Sequence, residues 1–103
     1  MTGAVALYRK DHQLNAARRK QIAAIREALD AIRPQLEAVR DDVETVKDDE
    51  QDAFDNMPES LQEGERGQRC QDAVDHLESA YSGLDDLVSS LDDVLTTLED
   101  AEA

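Results

Sequence analysis

Tryptophan is absent, and one Phe with two Tyr leaves only 3% aromatic residues. No large core built on aromatic rings can form from such a chain. The one cysteine, Cys70, excludes an internal disulfide and fits a reducing compartment. No apolar run approaches the roughly 20 residues that a membrane-spanning helix needs. The stretch "GAVAL" near the start is too short for the apolar region of a secretory signal. These absences predict a cytoplasmic protein with no membrane segment. Catalytic signatures are missing as well. The sequence has no glycine-rich nucleotide fingerprint, no Walker loop, no HExxH and no CxxC. His12 and His76 fall far apart, and the serines and threonines of the C-terminal half have no adjacent base. Asp72 and His76 are four apart, yet no third metal ligand accompanies them. The expectation is a protein that is not an enzyme and carries no metal and no cofactor.

What remains is helix-forming and charged. The chain of 103 residues is one domain at most, with a formal net charge of −14. The charge is unevenly spread: residues 1–40 carry eight Lys/Arg against four Asp/Glu, and residues 41–103 carry three against twenty-one. Phosphates would be repelled by such acidity, so direct nucleic-acid binding is not expected. The asymmetry suggests pairing between the two halves or a charged surface aimed at a partner.

Apolar residues fall at Ile22, Ile25, Leu29, Ile32, Leu36, Val39, Val43 and Val46, in steps that alternate three and four. That is a heptad seam with Ile22 at position a and Ile25 at position d. It continues weakly through Glu50 (an a position), Ala53 and Met57. A second seam runs Cys70, Val74, Leu77, Tyr81, Leu84, Val88, Leu91, Leu95 and Leu98, with Cys70 at d and Val74 at a. Two helices are predicted and no strand. Pro34 falls at the outward f position, where it is expected to kink the first helix or break its solvent-side hydrogen bonding.

Charges then select an orientation. The e positions of the first seam are Arg26, Arg33, Arg40 and Lys47; those of the second are Glu78, Asp85, Asp92 and Glu99. Antiparallel helices place e beside e, pairing Lys47 with Glu78, Arg40 with Asp85, Arg33 with Asp92 and Arg26 with Glu99. The fold class expected is all-α, an antiparallel, coiled-coil-like helical hairpin over residues 22–103 with its bend near 58–66. Residues 1–21 form a basic helical extension carrying Arg9, Lys10, Arg18, Arg19 and Lys20. Each exposed ion pair is worth only about 0.2–1 kcal/mol, so charge sets the register and the seam supplies stability. A third apolar column at Ala73, Ala80, Leu87, Val94 and Ala101, with alanines at 17, 24, 31 and 38 of the first helix, is wider than a two-helix contact uses. A lone hairpin also buries little against its ordering entropy. A homodimer forming a four-helix bundle is therefore predicted.

The bend is "FDNMPESLQEGERGQRC", residues 54–70, where Pro58, Gly64 and Gly67 interrupt the pattern. Asn56 suits a cap, Pro58 the opening turn of a helix, and the glycines either positive φ or close backbone approach. Phe54, Met57 and Leu61 are expected to plug the end of the bundle. The stretch also resembles one shared by small acidic helical proteins of bacteriophages, prophages and other mobile elements, of the form DEEQ, aromatic, DN-x-PE-x-LQ, ERG. Here it reads Asp49-Glu50-Gln51, Phe54, Asp55-Asn56, Pro58-Glu59, Leu61-Gln62 and Glu65-Arg66-Gly67. That resemblance covers about twenty residues; it implies a phage-related origin and a bacterial host cytoplasm, and carries no mechanism.

Two sets of candidate residues follow. Glu50 occupies an a position, and a buried carboxylate costs several kcal/mol unless paired. It is either a register-fixing or half-exposed polar residue, or it lines a polar pocket with Arg66 and Arg69 that would suit a small phosphate-containing ligand. The second set is Asp86, Asp93 and Asp100, the outer members of the doublets Asp85-Asp86, Asp92-Asp93 and Glu99-Asp100. The function expected is a phage-type interaction protein whose acidic, nucleic-acid-like surface occupies, and can inhibit, a host or phage protein with a basic surface. Alternatives are sequestration of a phosphate-containing ligand at the bend and a structural or assembly role.

Overall fold

The computed structural model describes the backbone of residues 2–103 and the side chains of residues 15–103. It is all-helical, with α1 (Thr2–Asp55), a short α2 (Glu59–Gln62) and α3 (Glu65–Glu102). No strand occurs among the described residues. Of the predicted extension over 1–21, residues 2–21 belong to α1; Arg9, Lys10 and His12 lie outside the described side chains. Pro34 lies inside α1 and does not end it. Its ring nitrogen withholds one donor from the Asp30 carbonyl, but both residues are exposed, so solvent can serve the orphaned oxygen. The helix continues through Pro34, and the hydrogen bond it lacks is on the solvent side, as expected.

The chain forms two compact units, Met1–Arg33 with Ser90–Ala103, and Pro34–Ser89. In the first, α1 and α3 run antiparallel. Arg33 reaches Asp92 at 3.1 Å, and Arg19 donates to the Ala103 carbonyl at 3.0 Å. Arg26 pairs with Glu102 in place of the expected Glu99. Glu99 still acts on the guanidinium through its charge, and Arg26 is held more firmly protonated, first by the Glu102 hydrogen bond. Leu95 is buried, while Ile25, Ile32 and Val94 are exposed.

In the second unit the order of contacts is again antiparallel. Arg40 meets Asp85 at 2.9 Å and also lies over the Tyr81 ring, 5.9 Å from its centroid. Lys47 has Asp48 at 3.9 Å, not Glu78. A straight α-helix drifts by about 20° per heptad against a strict seven-residue repeat. The two central e–e pairs therefore form while the outer two slip to other acids. Cys70, Val74 and Val88 are buried; Val39, Val46, Leu61 and Leu87 are exposed.

Both units thus share a cross-section. Position a of α3 is buried or half-buried, position a of α1 is half-buried, and position d of α1 is exposed. Around a helix, e and d lie on opposite sides of a. One flank of each unit is closed by e–e ion pairs. The other is open, and onto it project the d residues of α1 with Leu87 or Val94 from position g of α3. Apolar side chains 42–53% exposed at regular spacing are not scattered surface hydrophobics.

Candidate functional site

The connection between the long helices is built by backbone hydrogen bonds. Asn56 N–H donates to the Asp52 carbonyl at 3.0 Å and Met57 N–H to that of Phe54 at 3.0 Å, which finishes α1. Pro58, at φ −56° and ψ 147°, caps α2, and its carbonyl accepts from Leu61 and Gln62. Proline therefore stands one place before the predicted opening turn. No side chain caps α2, so Asn56 does not play the role expected of it. Gln62 turns its amide back to the Phe54 carbonyl at 2.9 Å, giving that acceptor a second donor beside the Met57 N–H. Phe54 and Met57 are half-buried, whereas Leu61 stays exposed and does not join the expected plug.

The two glycines of the bend differ in kind. No described glycine has positive φ. At Gly64 a Cβ would meet the Ser60 carbonyl oxygen at an ordinary 3.5 Å. At Gly67 a Cβ would lie 2.0 Å from the Gln62 carbonyl oxygen and 2.6 Å from its Cα. Gly67 is buried, and the absence of a side chain there lets the end of α2 press against the first turn of α3.

The first candidate set is only partly brought together. Glu50 is half-buried and close enough to Cys70 to act on its thiol. Hydrogen bonding to Glu50, followed by burial and the carboxylate's charge, raises the Cys70 thiol's pKa, with Arg66 opposing. Cys70 is thus a protonated, buried thiol at neutral pH, unsuited to nucleophilic attack. Arg66 lies close enough to act on this pair, while Arg69 is bonded to Glu65 at 2.9 Å on an exposed helix face.

The second set is exposed throughout: Asp86 in the second unit, Asp93 and Asp100 in the first, all at position f of α3. Their neighbours Asp85 and Asp92 are held by Arg40 and Arg33, and Glu99 acts on Arg26. Among the described residues the outer acids have no cationic partner. Asp86 also borders a shallow groove with Asp75, Glu78, Ser79, Ser82 and Gly83. The f position of α1 adds Glu27, Asp41, Asp48 and Asp55, all exposed.

Among the described residues no group of three His, Cys, Asp or Glu is placed to hold a metal ion, and no helix is long and apolar enough to cross a membrane. No family model, curated protein or solved structure matches the chain.

Proposed function

We propose that the chain is a non-enzymatic interaction protein. Two helical hairpins associate as a homodimeric four-helix bundle that presents acidic columns to a basic protein surface. The observation that carries this reading is the division of labour within each acidic doublet. The inner acids are engaged with Arg40, Arg33 and Arg26, and the outer acids Asp86, Asp93 and Asp100 point to solvent at a fixed interval. A regular array of unpaired carboxylates raises the local negative potential and steers a basic partner. Such an array resembles the charge of a nucleic-acid backbone, although DNA carries one charge per roughly 1.7 Å. Position f of α3 is about 100° from position g, so the column stays clear of the open flank. The bend's likeness to phage and prophage proteins supports a partner in the bacterial cytoplasm, with inhibition as the consequence of occupying a site that binds nucleic acid.

The homodimer is supported by burial as well as by pattern. Among the described residues four apolar residues are buried, Cys70, Val74, Val88 and Leu95, all on α3. The tip offers less to a phosphate ligand, because Arg69 is spent on Glu65.

The test neutralises the column. Full-length wild type and the D86N/D93N/D100N variant are immobilised and exposed to bacterial lysate at physiological ionic strength. A basic protein held by the wild type, displaced by duplex DNA and lost by the variant is the expected outcome, with the variant's oligomeric mass unchanged. An identical set of proteins on both surfaces contradicts the proposal.

A further inference from the structure

Within the first unit, the open flank carries no charge. Between Gln21 and Ile32 its columns on α1 are Ile25 and Ile32 at position d, Gln21 and Ala28 at g, and Ala24 and Ala31 at c, all exposed. On α3 the flank continues through Val94 and Ala101 at g, exposed as well. In a chain with 35% charged residues, so wide an uncharged face is not an ordinary solvated surface. The same columns of α1 in the second unit carry Asp42, Asp49 and Asp52. The smallest side chains lie at the centre of the first unit's flank, where Ala28 stands between Ile25 and Ile32 with Ala24 and Ala31 beside it.

We propose that the first unit holds the homodimer, with α1 of each copy lying antiparallel against α1 of the other and Ala28 at the two-fold axis. This rests on the homodimer reading and adds to it a location and a direction. The absence of charge chooses the occupant. From Gln21 to Ile32 a basic partner finds no carboxylate on this flank and an acidic partner no cation. Either would lose hydration from its charges and gain no pair. A second copy brings an equally uncharged, apolar face, and an isologous contact requires a patch that fits itself. α1 supplies three of the columns and the smallest side chains, so the closest approach is α1 to α1. Reversal about Ala28 sets Ile25 of one copy beside Ile32 of the other. Arg18 fixes the direction. It is the d residue before Ile25 and is exposed. Parallel helices in register would bring two copies of it together, a like-charge contact that disfavours the alternative. Antiparallel helices carry them to opposite ends.

Cysteine cross-linking reads the contact directly. In a Cys70→Ser background, single cysteines replace Ala28 or Gln21, two exposed g positions. Ala28→Cys is expected to oxidise to a covalent dimer, because it lies at the axis. Gln21→Cys would stand about 21 Å along the helix from its own copy, at 1.5 Å per residue, and is expected to stay uncrosslinked. Equal cross-linking of the two, in proteins of dimeric mass, overturns the antiparallel direction. No cross-link from Ala28→Cys in a protein of dimeric mass overturns the first-unit contact and leaves the homodimer standing. A monomeric mass in every background, native Cys70 included, overturns the homodimer itself. A second measurement keeps the native cysteine and follows dimer affinity by sedimentation equilibrium. Ala28→Glu and Ala28→Lys are each expected to weaken dimerisation on the order of a hundredfold. Glu27→Gln, at the neighbouring f position, is expected to leave it unchanged. The lysine variant decides, because it lowers the chain's net negative charge and still has to bury a cation. A dimer affinity unchanged or raised by Ala28→Lys overturns the uncharged contact.

Discussion

The Ile32→Glu, Val39→Glu double variant is expected to be a monomer at micromolar concentration and to lose the concentration dependence of its melting temperature. Within one chain these residues are 42% and 49% exposed. Replacing them by glutamate should then cost a monomeric fold no more than about 0.5 kcal/mol each. In the proposed homodimer the same side chains would be covered by the second copy. Full burial of a Val or Ile is worth about 1.5–3 kcal/mol, and roughly half of that is still to be gained on association. Four such side chains per dimer amount to about 4 kcal/mol, or about a thousandfold in the dissociation constant, before the repulsion of four carboxylates is counted. Sedimentation equilibrium measures the shift. A double variant that associates as tightly as the wild type would show that the open flank is not the interface.

Gly67→Ala is expected to destabilise the fold by about 2–3 kcal/mol, within the range for overpacking a filled site. The added methyl would sit 2.0 Å from the Gln62 carbonyl oxygen and 2.5 Å from its carbon. These are backbone atoms, so no side-chain rotation relieves the contact. α2 must move, and the bond from the Gln62 amide to the Phe54 carbonyl goes with it. For a domain of this size the melting temperature should fall by roughly 10–20 °C. Gly64→Ala is the control. Its Cβ meets ordinary contacts at 3.5 and 3.7 Å, and its φ is not positive. It should be neutral or stabilising by roughly 0.4–1 kcal/mol through the unfolded chain. Thermal unfolding followed by circular dichroism compares the two. Equal melting temperatures would remove the argument for close approach.

The helices were legible because their signal is periodic and repeated. Seams from Ile22 to Val46 and from Cys70 to Leu98 leave no other reading, and α1 and α3 contain them whole. The pairs Arg33–Asp92 and Arg40–Asp85 were legible for the same reason, since charge at every seventh residue fixes a register. Local chemistry was harder to read. Pro34 has a strong general preference against helix interiors, but at an exposed f position the cost is one solvent-facing carbonyl. Gly67 and Gly64 look alike in sequence, and only the path of α2 separates the indispensable one from the replaceable one. Glu50 announced a partner without naming it. The bend leaves Cys70 within reach of its influence, and an apolar seam alone does not single that residue out. The acidic column was visible as a repeat of doublets. Which acid of each doublet is free follows from the ion pairs of the folded chain.

The central claim is that this chain completes its core with a second copy of itself and keeps its outer acids for a partner. Native mass measurement of the full-length protein at micromolar concentration tests it most directly. Twice the 11.4 kDa chain mass is the predicted result, persisting in the D86N/D93N/D100N variant. A species of single-chain mass would contradict the claim and leave the exposed Ile25, Ile32, Val39 and Val46 without the cover assigned to them here.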